Sequence, residues 1–263
     1  MKLVTFAPAG GAPMAGEVRG EEVLAFSDGS TVIDRLASGD RTPADGETFA
    51  LADVELLAPV AGRNAIYGIG LNYAAHAAEG GREPPEQPIV FFKPSGAAAA
   101  PGAPVRCPSV VHRLDYEGEL AIVIGAGGTV AGYAIADDVT ARDLQRREAQ
   151  WTRAKGADGF CPYGPWITTA DEVADAGALS LRTWVNGDLR QDASTSDLIF
   201  GIDALVSFIA ETCTLYPGDL ILTGTPEGVG YAMDPPQFLA DGDVVRIEIE
   251  GLGSIEHRIE VSA

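Results

Sequence analysis

The stretch LDYEGEL, residues 114–120, places three carboxylates at alternate positions immediately before an apolar segment, AIVIG. Side chains alternate between the two faces of a strand, so Asp115, Glu117 and Glu119 are expected to point the same way. Like charges on one face repel each other, and burying them without a partner is costly. The pattern indicates either a solvated face or a cation held by these carboxylates.

A second strand candidate, residues 130–136, follows a Gly-Gly turn and ends in the acidic pair Asp137 and Asp138. If the two strands pair as a hairpin, one of these aspartates comes close to Glu117 and Glu119. Carboxylate oxygens suit Mg²⁺, Mn²⁺ or Ca²⁺ better than Zn²⁺, and two or three carboxylates with open positions favour a catalytic Mg²⁺ or Mn²⁺. For one of the two aspartates, the alternative is a favourable charge before a helix N-terminus.

The segment GLNYAAHAAEG contains His76 and Glu79, which lie three residues apart and therefore on one side of a helix. A carboxylate beside an imidazole orients the ring and raises its basicity, the usual arrangement for a general base. On spacing alone, a surface His–Glu pair without a catalytic role explains the pattern better.

Two further features are compatible with a site. Lys155 lies among glycines and alanines, a pattern that by itself is typical of a solvated lysine. The stretch TGTPEGVG, residues 223–230, is a loop of small residues after a strand, where backbone N–H groups can approach an anion or a substrate carboxylate. A tight structural turn would look the same.

Composition excludes several classes of protein. The 263 residues carry 18 basic and 38 acidic side chains, a net charge of −20, which argues against binding to nucleic acid or to anionic membranes. Cys107, Cys161 and Cys213 are far apart, so a disulfide framework or a thiolate zinc site is not expected. The N-terminus lacks the apolar core of a signal peptide. Together these features predict a cytoplasmic location.

The elements predict a mainly β, α+β protein. Residues 1–57 are expected to form a small N-terminal domain, with strands in MKLVTF and EEVLAF and one brief helix, and residues 58–263 to form the catalytic domain. From residue 58 onward strands outnumber helices and do not alternate with them, which argues against a doubly wound α/β fold.

Two local patterns in the second domain make specific predictions. Thr140 and Asp143 have the spacing of a capping box, which predicts one helix running from Thr140 to near Gly156. Asn186 and Gly187, between two strand-like flanks, predict a hairpin with a type I′ turn.

Taken in order, eight segments of the chain resemble the fumarylacetoacetate hydrolase family. They span residues 66–253 and read GLNYAAHAAE, FFKP, LDYEGELAIVIG, GYAIADDVTARDLQ, AKGADGFCPYGPW, VNGDLRQDASTSDLIF, YPGDLILTGTPEGVG and DGDVVRIEIEGLG. The resemblance implies a mixed β-roll catalytic domain behind a small α+β domain, a homodimer, and a site for Mg²⁺ or Mn²⁺.

The resemblance also assigns roles to residues of this chain. Glu117, Glu119 and Asp138 match the metal ligands of the family, and Asp115 and Asp137 do not. The remaining matches form two groups, the catalytic residues His76, Glu79 and Lys155, and the residues that hold the 2-oxo acid end of the substrate, Arg142, Gln145 and Thr225.

The implied substrate is a small 2-oxo or enol acid. The resemblance implies C–C hydrolysis of an acylpyruvate or isomerisation of a 2-hydroxy-diene-dioate, with decarboxylation of oxaloacetate or hydration of a 2-oxo acid as alternatives on the same site. Leu71 stands where acylpyruvate-hydrolysing relatives often carry arginine, so the segment is more similar to that of bacterial isomerases, hydratases and dioate-processing members. A protein that binds a small acid without turning it over is the alternative from another class.

Overall fold

The computed structural model describes residues 1–60, 62 and 64–261. Strands in chain order are β1 (Lys2–Pro8), β2 (Met14–Arg19), β3 (Glu22–Ala25), β4 (Thr48–Ala50), β5 (Val54–Leu56), β6 (Ile66–Gly70), β7 (Ile89–Lys93), β8 (Ala98–Ala99), β9 (Val105–Cys107), β10 (Leu114–Asp115), β11 (Gly118–Ile124), β12 (Val130–Asp137), β13 (Thr140–Ala141), β14 (Cys161–Thr169), β15 (Ser180–Val185), β16 (Asp188–Ser194), β17 (Leu220–Leu222), β18 (Val244–Ile249) and β19 (Gly253–Val261). The α-helices are α1 (Val32–Ser38), α2 (Ala74–Glu79), α3 (Arg142–Arg147), α4 (Thr152–Lys155) and α5 (Ile202–Ala210). None of the helices in these residues is long and apolar enough to cross a membrane.

The strands form a large mixed sheet and a smaller sheet packed on it. The large sheet runs in the order β4-β3-β2-β1-β14-β12-β11-β17-β6-β7, with β5 beside β1 and β8 beside β14. The second sheet runs β16-β15-β18-β19-β9, and β10 and β13 form a separate pair. This architecture confirms the predicted mainly β, α+β class.

Strand β11 is buried on both faces because a separate apolar core lies on each side of it. Leu120 and Ile122 pack in the core between the two sheets, whereas Ala121 and Val123 pack in a second core that includes Leu3 from the N-terminal strand. Alternation of side chains along the strand explains this division. Burial on both faces therefore explains why the run AIVIG is continuously apolar.

The N-terminal strands continue the large sheet. Strand β1 pairs antiparallel with β14, with Leu3 opposite Ile167, and β2, β3 and β4 extend the sheet from there. The division into domains at residues 57 and 58 stays a prediction.

The predicted single helix from Thr140 to near Gly156 is wrong both at its start and in its continuity, because residues 148–151 are not helical. Thr140 lies in strand β13, α3 begins only at Arg142, and a second short helix, α4, ends before Gly156. The hydroxyl of Thr140 is engaged elsewhere, because it donates to the carbonyl oxygen of Asp138 at 2.8 Å. The carboxylate of Asp143 accepts from a backbone N–H outside the helix instead of completing a capping box. Tertiary contacts thus outweigh a local capping pattern.

The predicted hairpin is confirmed. Strands β15 and β16 pair antiparallel around Asn186 and Gly187. The φ angles of these residues are 53° and 85°, the left-handed values that a type I′ turn requires at both positions.

Candidate active site

The three predicted metal ligands lie together at the mouth of the β11–β12 hairpin. Asp138 follows the end of β12, Glu119 is the second residue of β11, and the register pairs Gly118 with Asp137. The backbone N–H of Asp138 donates to the carbonyl oxygen of Glu117 at 2.9 Å, which ties the two ligand segments together. Glu117, Glu119 and Asp138 are buried, and each offers an oxygen within 4.8 Å of the others.

The backbone at Glu117 is held from both sides. The N–H of Glu117 donates to Oδ1 of Asp137 at 2.8 Å, and the N–H of Gly118 donates to Oε1 of Gln191 at 3.1 Å. A Cβ atom at Gly118 would lie 2.3 Å from Oγ1 of Thr183, so only glycine allows this close approach between the sheets. The carboxylate of Asp137 therefore supports the site by holding the backbone of Glu117.

Two buried lysines neutralise part of the acidic cluster. Nζ of Lys155 lies 2.7 Å from both Oε2 of Glu117 and Oδ2 of Asp138, and it donates to Oγ1 of Thr140 at 2.8 Å. Nζ of Lys93 donates to Oδ1 of Asp138 and, at 2.8 Å, to a backbone carbonyl. Lys155 is thus a buried bridge between two predicted ligands. The interpretation of Lys155 as a solvated lysine, which its sequence neighbours favour, is wrong.

Asp115 leaves the face that it was expected to share with the glutamates. The strand breaks after Asp115, whose side chain turns to Nε of Arg142 at 2.8 Å and to the backbone N–H groups of Gly230 and Tyr231 at 2.9 and 3.1 Å. Arg142 in turn contacts Oε1 of Glu117 at 2.7 Å through Nη2. Asp115 therefore positions the guanidinium group and the loop beside it.

The cluster has one carboxylate more than it has cations. The carboxylates are Asp115, Glu117, Glu119 and Asp138, and the cations are Lys93, Arg142 and Lys155. Burial opposes ionisation of Glu117, but the neighbouring cations hold its pKa down at about 2. Burial, followed by the charges of the two other ligands, raises the pKa of Glu119 well above its usual value. In the described residues Glu119 forms no ion pair, and its Oε2 accepts the N–H of Gly224 at 2.7 Å.

A divalent cation fits this arrangement. Two oxygens on opposite sides of one Mg²⁺ lie about 4.2 Å apart, because Mg–O distances are about 2.1 Å. The three carboxylates offer oxygens at comparable separations. Their hard oxygen donors suit Mg²⁺ or Mn²⁺, and the charge that lacks a counterion is the one at Glu119.

His76 and Glu79 form a hydrogen-bonded pair on α2. Nδ1 of His76 lies 2.7 Å from Oε1 of Glu79, and Oε2 of Glu79 accepts the N–H of Gly228 at 2.9 Å. Because a carboxylate only accepts hydrogen bonds, Nδ1 carries the proton, and Nε2 is the basic nitrogen. Only 13% of the His76 side chain is exposed, which favours an oriented pair over a surface pair.

The base of helix α2 is anchored by the buried Asn72. Its amide nitrogen donates to the carbonyl oxygens of Thr223 and Phe200 at 2.8 and 3.0 Å, and its Oδ1 accepts from the N–H of Phe200 at 2.8 Å. These bonds connect the helix to the loop after β17. The helix is therefore tied to this loop at both ends, through Asn72 before its first residue and through the bond from Gly228 to Glu79 at its last.

A cavity of about 260 Å³ brings these groups together. Phe91 and Trp151, whose ring centroids lie 5.6 Å apart, form its apolar wall. Glu119 and Asp138 are buried and do not line it. Seven of the nine predicted site residues do: His76, Glu79, Glu117, Arg142, Gln145, Lys155 and Thr225.

The predicted substrate contacts already have partners within the protein. Gln145 accepts from Arg142 through its amide oxygen at 3.1 Å, which leaves its NH₂ group as a donor. The hydroxyl of Thr225 donates to a backbone carbonyl at 3.0 Å and accepts from Nε2 of Gln191 at 2.8 Å. Their roles toward a substrate stay predictions.

Lys93 is a supporting residue that the sequence patterns do not single out. Lys93 ends the strand IVFFK, and a charged residue at the end of an apolar strand is a signal that resembles the one at Glu117, which precedes β11. The loop after β17 was predicted to approach an anion through its N–H groups. The anions it meets are the protein's own, because Gly224 binds Glu119 and Gly228 binds Glu79.

Residues 65–260 match the family described as fumarylacetoacetate (FAA) hydrolase C-terminal. Because the match covers most of the chain, the protein belongs to the fumarylacetoacetate hydrolase family, whose members include hydrolases, isomerases and tautomerases.

Proteins and solved structures similar to this chain carry different names, and some of the names state an activity. Protein Rv2993c of Mycobacterium tuberculosis is 47% identical over 81% of this chain and 82% of its own length. Oxaloacetate tautomerase YisK of Bacillus subtilis is 42% identical over 80% of this chain and 75% of its own length. The crystal structure of 2-hydroxyhepta-2,4-diene-1,7-dioate isomerase from Mycobacterium marinum superposes with a TM-score of 0.83 at 37% identity, covering 100% of this chain and 99% of that one.

Proposed function

We propose that the protein is a divalent-metal-dependent enzyme that moves a proton between carbon and oxygen, or between two carbons, of a small 2-oxo acid and its enol. The observation that carries this proposal is that one cavity is lined both by Glu117 of the acidic cluster and by the hydrogen-bonded pair of His76 and Glu79. The names of relatives that are isomerases and oxaloacetate tautomerases support it.

Glu117, Glu119 and Asp138 would hold the cation, Mg²⁺ or Mn²⁺. When bound, the cation would supply Lewis acidity that makes the C3–H bond next to the 2-oxo group more acidic. The protein itself contributes Lys155, which lines the cavity. Its positive charge would stabilise negative charge that develops on the substrate oxygen.

His76 acts as the general base in this proposal. Nε2 takes a proton from C3 and returns it to the substrate oxygen or to another carbon, so the reaction consumes no water and leaves no net charge on the ring. Glu79 keeps the proton on Nδ1 and stabilises the imidazolium while it lasts.

Arg142, Gln145 and Thr225 would bind the acid end of the substrate. The guanidinium group of Arg142 is buried and fixed by Asp115, which makes it a rigid anchor. Gln145 adds an amide donor beside it.

Hydrolysis of a C–C bond is the second candidate, and the family description favours it. The same base would then take a proton from water that attacks C4 of an acylpyruvate, the C3–C4 bond would break to release a carboxylic acid, and the pyruvate enol left behind would take the proton at C3. Decarboxylation of oxaloacetate needs the Lewis acid and not His76, and hydration would add water to a double bond.

A substrate panel distinguishes these outcomes. Purified protein with Mg²⁺ or Mn²⁺ would be assayed by ultraviolet absorbance with enol-oxaloacetate, an acylpyruvate and a 2-hydroxy-diene-dioate. We expect faster loss of the enol or diene without release of a cleaved acid. Cleavage products would favour hydrolysis, and no turnover of any substrate by metal-loaded protein would favour a binding protein.

A homodimer and a cytoplasmic location belong to the same proposal. Sedimentation equilibrium of the purified protein measures the first, and a single-chain mass at all concentrations would contradict it.

A further inference from the structure

The cavity is lined by four basic side chains other than His76, and they differ in their partners. Arg142 and Lys155 are buried and paired with carboxylates. Arg82 and Arg146 are exposed and form no ion pair with a carboxylate in the described part of the chain. Two positive charges at the rim are therefore available to an anionic ligand.

Of these two, Arg146 has the better defined position. It lies four residues after Arg142 on α3, so both side chains project from the same side of the helix. Both guanidinium groups also contact the ring of Tyr231, with the Cζ atom of Arg146 at 4.4 Å and that of Arg142 at 5.6 Å from the centroid. The Tyr231 backbone is held in turn by Asp115.

Arg146 also lines a second space next to the cavity. A second space of about 430 Å³ shares Glu79, Arg146 and Tyr231 with the first, and its far end is lined by Phe238 and Arg113. A ligand anchored at Arg142 and long enough to pass Tyr231 would reach Arg146.

We propose that Arg146 binds the far carboxylate of a 2-oxo dicarboxylic acid, so that the enzyme prefers diacids to monoacids of equal length. This inference rests on the proposed function, which places the 2-oxo acid end at the acidic cluster and Arg142. A guanidinium group offers two parallel N–H donors to a carboxylate. Contact with the Tyr231 ring restricts the conformations of the Arg146 side chain, so less conformational entropy is lost on binding.

Two matched ligands test the assignment. 2-Oxoglutarate and 2-oxopentanoate have the same chain length and the same 2-oxo acid end, and they differ by a carboxylate against a methyl group. Their dissociation constants would be measured by calorimetry with Mg²⁺-loaded protein. We expect wild type to bind the diacid about tenfold more tightly, the size of one charge-assisted hydrogen-bonded contact at a partly exposed site.

The variant Arg146→Gln should bring the two dissociation constants to within about twofold, by weakening the diacid alone. Arg147→Gln is the matched control, because Arg147 is the next residue, is exposed and lines neither cavity. It should keep the wild-type preference.

Other outcomes overturn the assignment. Equal binding of the two acids by wild type, or an unchanged preference in Arg146→Gln, would refute it while leaving the proposed function intact. Loss of the preference in Arg82→Gln or Arg113→Gln, but not in Arg146→Gln, would move the carboxylate to another arginine. Wild type that binds neither acid in the presence of Mg²⁺ would overturn the proposed function as well.

Discussion

Replacing Glu119 by Gln removes the one carboxylate of the acidic cluster that lacks a cationic partner in the described residues. The shape of the side chain is kept, and its oxygen can still accept the N–H of Gly224. The variant should therefore fold, but it should lose a ligand and the charge that attracts a divalent cation.

The size of the effect follows from linkage between binding and folding. A ligand at one hundred times its dissociation constant stabilises the folded state by about 2.7 kcal/mol. For a chain of this size that raises Tm by roughly 5–10 °C. We expect this rise for wild type with Mg²⁺ or Mn²⁺, and a rise near zero for Glu119→Gln at the same metal concentration.

The metal-free variant should be more stable than metal-free wild type at neutral pH. The pKa of Glu119 is raised by burial and by its acidic neighbours, so ionising it costs free energy in the folded state only. The difference in stability should be absent below about pH 4.3, the usual glutamate pKa, and should grow as the pH rises from there toward the raised pKa.

Thermal unfolding of chelator-treated protein, with and without added metal, measures both effects. Glu21→Gln is the control, because it removes an exposed glutamate on the turn before β3. A metal-induced rise of wild-type size in Glu119→Gln would refute the ligand assignment, and a clear loss of stability in its metal-free form would refute the raised pKa of Glu119.

Three other variants test the remaining parts of the site. His76→Ala should lower turnover by roughly 10²–10⁴-fold, as expected for a general base, and keep the metal-induced rise in Tm; wild-type turnover would exclude that role. Lys155→Met should cost about 3–5 kcal/mol of metal-free stability in denaturant unfolding, since it leaves two buried carboxylates without the cation that bridges them, and a loss under 1 kcal/mol would contradict the bridge. Gly224→Ala should weaken metal binding by roughly 10–100-fold in calorimetry, because it displaces the N–H that orients Glu119. Gly20→Ala, which also has a positive φ but no neighbour within 4 Å of the added Cβ, should leave metal affinity unchanged.

The parts of the site that could be predicted are local in sequence. Glu117, Glu119 and Asp138 meet because two neighbouring strands form a hairpin, and strand alternation with hairpin pairing is readable from a short stretch. His76 and Glu79 meet because they lie three apart on one helix.

The parts that could not be predicted come from distant segments. Lys93 reaches Asp138 from the edge strand β7, and nothing near either residue indicates the pairing. The helix predicted at Thr140 failed for the same reason, since the hydroxyl that a capping box would use is bound to Lys155 and to the Asp138 backbone. Asp115 shares the alternation of the glutamates, and only the break after β10 turns it to Arg142.

The metal dependence of the proton-transfer rate tests the acidic cluster and the His–Glu pair together. The rate at which the absorbance of enol-oxaloacetate decays would be measured with protein stripped of metal, then with Mg²⁺ or Mn²⁺ restored, after subtraction of the spontaneous rate at each metal concentration. We predict no enzymatic rate in the stripped wild type, recovery on adding either metal, and no recovery in Glu119→Gln. A full rate in stripped protein, or equal recovery in the variant, would contradict a metal centre formed by Glu117, Glu119 and Asp138.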